Sequence, residues 1–397
     1  MNLSFSKIKV IKELNCCNDS GGLGRLPESQ EKKLTIMFVC MNIRKILNHL
    51  AVPFTVSVLA VGLSLQSCSR QPIGTTGDGY GKVVFTLDSR ACMTKASGSA
   101  AAAETAVNHW AVFVFEEGSV VGYGEKNSSG EIDLTLPTGE YQVCAVANYP
   151  KSGSYAFNPT EMETLSQIRS FNLPLSVNSL DGFVMYGEGN LTVSKGDDDP
   201  VHIFVQRLVA KVQINCIESA FTNPLVYQRG AHLSGIGMSN VYGWNVFGAD
   251  VSVSAMSGNV SDWVNVMGVY DASYGSFLQD VISVDFTEAG QKYQTEHIFY
   301  VYPNALTEPD DSRDTESWSK RRTRLLIKGT VGDTDRYWTL SLPGPVVRNR
   351  TYVIEKAILV TAGSLDGESG IEGDVDYDMS IIDIDVDGGE YVIDETS

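Results

Sequence analysis

Histidine is scarce in this chain, five residues in 397, and none stands beside a cysteine. Seven cysteines occur without a single C-x-x-C pair, so a zinc site has no ligand set to draw on. Cys16, Cys17 and Cys40 fall in the first 40 residues and Cys68 in a processing site, which leaves Cys92, Cys144 and Cys216 with no pairing specified. No H-E-x-x-H, G-x-S-x-G or phosphate-loop pattern is present, so no catalytic reading arises and no cofactor is expected. No repeat of 20–50 residues is visible, which argues against solenoids and propellers. Basic residues are outnumbered, 30 against 48 acidic, and the formal charge of −18 disfavours nucleic acid as a partner.

What is present is a β-rich composition. An apolar share of 43% is that of a folded protein, and 17 Tyr, 15 Phe and 37 Gly suit sheets and tight turns. The length favours two domains over one.

The first 40 residues are polar and aperiodic, and the pattern changes at Met41. Arg44 and Lys45 precede an uncharged apolar run, Ala51 to Leu65, which closes in Leu65-Gln66-Ser67-Cys68. Such a run has the flanks and length of a signal peptide, and its end resembles a lipobox. We therefore read 1–40 as preceding the true start, 41–67 as a lipoprotein signal peptide, and Cys68 as the lipidated first residue. Each buried methylene of a lipid anchor contributes about 0.8 kcal/mol.

Beyond a polar linker, Lys82 to Leu87 reads as a strand that ends at Asp88-Ser89-Arg90. A small-residue stretch follows, and then strands at Val107–Phe115, Ser119–Tyr123, Glu131–Leu136 and Glu140–Ala147. Their short turns point to an antiparallel sandwich. One helix is expected, Pro159 to Ser170, with Thr160 and Glu163 as a capping box. Val201 to Ile217 is the longest apolar strand signal, and the domain junction is placed near 207. His232–Met238, Asn240–Phe247, Val281–Phe286, His297–Tyr302, Thr323–Val331, Tyr337–Leu342 and Thr351–Val360 read as further strands, with Glu308–Arg322 a loop.

From Asp366 onward there are twelve acidic residues and no basic ones. Ile382, Ile384 and Val386 alternate with Asp383, Asp385 and Asp387, giving a strand with one apolar and one charged face. The aspartates resemble the start of a calcium loop, but Glu390 and Asp394 break that pattern and the alternation already accounts for them.

Several segments in order, Val107–Phe115, Leu134-Thr135-Leu136-Pro137-Thr138-Gly139-Glu140-Tyr141, Val146-Ala147-Asn148, Arg207–Val212, Phe299–Asn304 and Arg348–Tyr352, resemble the fimbrillin superfamily of Bacteroidales, the type V pilins. The resemblance covers the chain from about Gly81 to its end. It implies an all-β fold of two transthyretin-like antiparallel sandwiches in tandem, 91–207 and 208–397, behind a lipidated propeptide, 68–90. It also implies a removable first strand carrying Val83, Phe85 and Leu87, and cleavage by an arginine-specific surface protease between Arg90 and Ala91. A C-terminal strand from a neighbouring subunit then takes the vacated place, with Ile382, Ile384 and Val386 as the candidate donor. Arg90 follows a strand and precedes accessible small residues, whereas Arg207 sits in an apolar strand and Arg169 at a helix end.

The implied partners are other fimbrial subunits, the protease, and a host or bacterial surface ligand. The implied location is a cell-surface fimbria, with the precursor lipid-anchored to the outer membrane. Gly388-Gly389-Glu390 stands where stalk members often carry tryptophan, which tilts the reading toward a minor, accessory or tip subunit. A rival reading is a non-polymerising surface binding module that uses exposed aromatics such as Trp244, Trp263 and Trp318.

Overall fold

Runs of β-branched and aromatic residues between turn-formers fold here as strands that end where Gly, Pro, Asn or Asp intervene. A computed structural model describes residues 79–89, 104–196, 200–248, 263–264, 277–305, 322–365, 374–384 and 390–396. All belong to one unit, Gln66–Ser397. A second unit, Met1–Leu65, lies outside the described residues, as do Cys68, Arg90, Ala91 and Cys92.

The first half supplies β1 (Tyr80–Asp88), β2 (Trp110–Glu116), β3 (Ser119–Lys126), β4 (Ile132–Pro137), β5 (Gly139–Ala147), β6 (Asn172–Pro174), β7 (Met185–Val193), β8 (Val201–Phe204) and β9 (Gln206–Arg207). The second half supplies β10 (Ala210–Ile214), β11 (Ile217–Ser219), β12 (Ala231–Ser239), β13 (Val241–Tyr242), β14 (Trp244–Val246), β15 (Trp263–Val264), β16 (Gln279–Phe286) and β17 (Lys292–Tyr293). It continues with β18 (His297–Val301), β19 (Arg324–Val331), β20 (Thr334–Ser341), β21 (Thr351–Leu359), β22 (Val375–Ile384) and β23 (Glu390–Thr396).

The fold is all-β. A five-stranded sheet, β3-β2-β5-β7-β9, accompanies a three-stranded one, β4-β1-β8. In the second half, a sheet ordered β17-β11-β21-β10-β18, extended by β22 and β23 beyond β21, accompanies β16-β12-β19-β20. Central β2 is buried from Trp110 to Phe115, which is why it reads as an unbroken apolar run. Phe113 meets Phe157 edge-on at 6.3 Å, so the segment after β5 covers one face of that sheet.

The two halves meet through β6, which pairs with β14, and through Tyr302, whose hydroxyl donates to the Pro174 carbonyl at 3.1 Å. One continuous core of buried side chains runs through both.

The expectations need several adjustments. The sheets are not purely antiparallel: β1 runs parallel to β8, and β10 and β11 run parallel to β21. Val201–Ile217 is not one strand but four, β8 to β11, because its pieces pair in turn with β1, β7, β18 with β21, and β21 with β17. The chain crosses from the first group of sheets to the second between Arg207 and Ala210. Asn240–Phe247 is likewise two short strands, β13 and β14.

The expected helix is a 3-10 turn at Pro159–Glu161 followed by α1, Leu165–Arg169. Its capping box is Thr164 with Gln167, not Thr160 with Glu163, because Met162 breaks into extended backbone between them. A second short helix, α2, spans Leu225–Arg229. Pro224 precedes it and Gly230 ends it, a stop-and-start pattern that sequence reading missed.

Candidate functional site

β1 alternates along YGKVVFTLD, and the alternation sets its burial. Gly81, Val83 and Phe85 point inward; Val83 is 5% exposed and Phe85 fully buried. Leu87 packs against the same core at its margin. Tyr80 and Lys82 face outward. Burying Val83 and Phe85 contributes about 1.5–3 kcal/mol each. The ion pair from Lys82 to Asp133, 3.1 Å long with both side chains 56% exposed, contributes about 0–1 kcal/mol.

The ladder around β1 is asymmetric. Tyr80 to Phe85 pair antiparallel with Pro137 back to Ile132 of β4. Phe85 to Asp88 pair parallel with Val201 to Phe204 of β8. Phe85 alone has a partner on both sides. β1 is therefore the one strand joining β4 to β8, and taking it out would leave them about two strand spacings apart, roughly 9.5 Å. Both edges would then carry unpaired backbone donors and acceptors.

The ends of β1 are fixed as well. Thr138 donates its amide to the Gly79 carbonyl at 2.9 Å, and Val205 donates to the Asp88 carbonyl at 2.9 Å. Across the parallel pairing, the Thr86 hydroxyl lies 2.6 Å from Nδ1 of His202. Ser89 donates its hydroxyl to the Thr105 carbonyl at 2.8 Å.

Arg90 and Ala91 lie outside the described residues, and description resumes at Glu104. Glu104 is tied down on three sides. Its carboxylate lies 2.6 Å from Nη1 of Arg207 on β9 and 2.9 Å from Nζ of Lys211 on β10. The Tyr300 hydroxyl on β18 donates to it at 3.0 Å. Burial alone would raise the Glu104 pKa. Arg207 and Lys211, helped by hydrogen bonds from Lys211 and Tyr300, outweigh burial and hold it below its ordinary 4.5. Downstream, Asn148 accepts from the Asn108 amide at 2.8 Å and donates to the carbonyls of Ala106 and Phe183. The chain is thus held on both sides of the 90–103 stretch by separate networks.

The other arginines weighed as cleavage points are occupied. Arg207 is buried in the ion pair just described. Arg169, in α1, donates from Nε to Glu188 at 2.8 Å.

At the other end of the chain, β22 pairs antiparallel with β21 along Val375–Ile382 and with β23 along Asp378–Ile384. Ile382 therefore sits between Thr351 and Val392, and Ile384 stands opposite Glu390. Val386 lies outside the described residues. In this chain Ile382 and Ile384 complete its own sheet, and β23 is the strand beyond them with β22 as its one recorded partner.

Of the aromatics considered for ligand binding, Trp244 is half-buried and meets Tyr155 edge-on at 5.4 Å. Trp263 lies in β15 with its side chain outside the description, and Trp318 lies outside it altogether. Cys144 is buried and Cys216 half-buried, both as free thiols, and burial pushes the Cys144 thiol well up. The sequence reading missed Glu104. It lies in a run of alanines, and only the distant Arg207 and Lys211 give it a role.

Scaffold and site together define an all-β sandwich protein whose first described strand is an interior member of its sheet. That fold is shared with a candidate cell adhesion protein from Bacteroides eggerthii, at TM-score 0.51 and 16% identity over 81% of this chain and 98% of that one. Two further solved structures align at TM-score 0.48. One is a candidate cell adhesion protein from Parabacteroides distasonis, 16% identical over 76% of this chain and 98% of its own. The other is a fimbrilin from Porphyromonas gingivalis, 12% identical over 75% of this chain and 95% of its own. At 16% identity the likeness to the Bacteroides eggerthii structure shows the fold alone. No family model and no curated protein matches the chain.

Proposed function

We propose that this chain is a structural subunit of a cell-surface fimbria, made as a lipoprotein precursor anchored through Cys68 and matured by cleavage after Arg90. An arginine-specific surface protease is the expected enzyme, and other fimbrial subunits are the expected partners. Release of β1 opens a slot between β4 and β8, and a strand from a neighbouring subunit fills it. Because each subunit fills the slot of the next, the contact is heterologous and propagates as a filament. A minor, accessory or tip position suits the acidic C-terminus.

One observation carries the reading. β1 is the strand that holds β4 and β8 in one sheet, and the chain leaves it directly for the Arg90-Ala91 bond. Protein recovered from surface filaments should begin at Ala91, read by N-terminal sequencing, and the Arg90→Ala precursor should fold yet stay out of filaments. A start at Cys68 in filaments, or normal incorporation of the variant, would sink the reading.

A second reading is a lipid-anchored adhesin that does not polymerise and takes a glycan or host protein. The pairing of β22 and β23 within the chain's own sheet favours it. Under that reading the cell-surface form starts at Cys68.

A further inference from the structure

The β1 slot has a tight end. A Cβ on Gly81 would stand 2.7 Å from the Ser194 carbonyl oxygen and 2.7 Å from Cγ1 of Val193. The first of these neighbours is backbone, which cannot swing aside as a side chain tip can. Two and four residues further on, Val83 and Phe85 are sealed in the core. The slot is therefore graded along its length, closed to any side chain at the first inward place and open to large ones at the next.

We propose that the contact between Gly81 and Ser194 sets the register of strand exchange, and that in an assembled fibre Gly389 of a second copy takes the place of Gly81. This rests on the strand-exchange reading above. Laying Gly389 on Gly81 puts Tyr391 at Val83, Ile393 at Phe85 and Asp394 at Thr86. A shallow cleft open to solvent, lined by Lys82, Val83, Val193, Ser194 and Val201 among others, lies beside Val83 and lets the tip of the bulkier tyrosine reach outward. Asp394 meets His202 across the parallel pairing, where the Thr86 hydroxyl now sits at 2.6 Å.

A second glycine in this chain has the same phase, Gly373 ahead of Val375, Tyr377 and Met379. Val375, Tyr377 and Met379 belong to β22, which pairs with both β21 and β23. Withdrawing β22 would divide its sheet, whereas withdrawing β23 breaks one ladder at the end of the chain. The choice between the two glycines therefore falls on the strand that can leave.

The test uses the full chain cleaved after Arg90, unfolded to shed the fragment that ends there and refolded with biotinylated peptides, with retained peptide as the readout. The peptides are residues 79–90, residues 387–397, the latter with Gly389→Val, and residues 371–384. Retention of 79–90 and 387–397 is expected, with the valine peptide weaker by about tenfold or more, as overpacking against backbone requires. Equal retention of the valine peptide overturns the register lock. Preference for 371–384 overturns the choice of occupant. If even 79–90 fails to rebind, strand exchange itself falls, and this inference with it. In the whole chain, Gly389→Val should leave a subunit that accepts a strand but donates none, and normal filament growth from that variant counts against the proposal.

Discussion

The Glu104 carboxylate and the Arg207 guanidinium lie 2.6 Å apart, with side chains 1% and 2% exposed, and Lys211 closes the other side of the same carboxylate at 2.9 Å. Removing Glu104 leaves two buried cations facing each other without their anion. Breaking a buried pair from one side costs about 3–5 kcal/mol. Glu104→Gln should lower the unfolding free energy by about that much in denaturant titration. A loss under about 1 kcal/mol would mean that water already reaches the pair.

The same carboxylate makes stability depend on acid. Its pKa is held below 4.5 in the folded chain and returns to about that value on unfolding. The unfolded chain then binds the proton more readily, so stability falls as pH falls. The contribution is fully present above about 4.5 and is lost as the pH drops through the folded value. Melting temperature followed from pH 6 down to 3 should decline in the native chain beyond what Glu104→Gln shows. Parallel curves for the two proteins would remove Glu104 from the acid response.

Along β1 the inward and outward faces should behave very differently. Phe85→Ala empties a fully buried site and should cost about 3–5 kcal/mol. Lys82→Ala removes one half of an exposed ion pair and should change stability by no more than about 1 kcal/mol. Equal effects at the two positions would mean that β1 is not seated as described.

How much of this was legible in the sequence depended on whether each strand carried its own signal. β2, β5, β19 and β21 announce themselves because β-branched and aromatic residues dominate them, and β1 shows the alternation that its one buried face demands. The parallel partnership of β1 with β8 could not be read, because parallel neighbours lie far apart in sequence and leave no turn between them. The Thr160 capping box failed for a local reason: Asn158 and Pro159 begin a separate turn first, and Thr164 had the better partner in Gln167. The Gly81 gate was invisible, since a glycine in a strand looks like weakness until the opposing carbonyl is seen.

β7 was missed outright, and the reason suggests its own test. Its sequence, MYGEGNLTV, carries two glycines that dilute the strand signal. Gly187 is required there because a Cβ would lie 1.9 Å from the carbonyl oxygen of Phe204, the last residue of β8 to pair with β1. Gly187→Ala should therefore push β8 away and destabilise the chain by at least about 1–3 kcal/mol. Gly189→Ala, with its nearest neighbour a side chain at 3.6 Å, is the matched control and should be far milder.

Cutting the bond after Arg90 removes a covalent tie but none of the contacts of β1. Val83 and Phe85 stay buried, and the Thr138 and Val205 amides still hold the strand's two ends. Glu104 and Asn148 keep the chain beyond the cut in place. Native cleavage should therefore leave the melting temperature nearly unchanged, with the fragment ending at Arg90 co-eluting in gel filtration. Because the strand is now held without a covalent tether, Phe85→Ala should shorten its residence sharply, which a mass-spectrometric time course can follow. Fragment loss at the moment of cleavage in the native chain would show that β1 is held by the covalent bond and not by its place between β4 and β8.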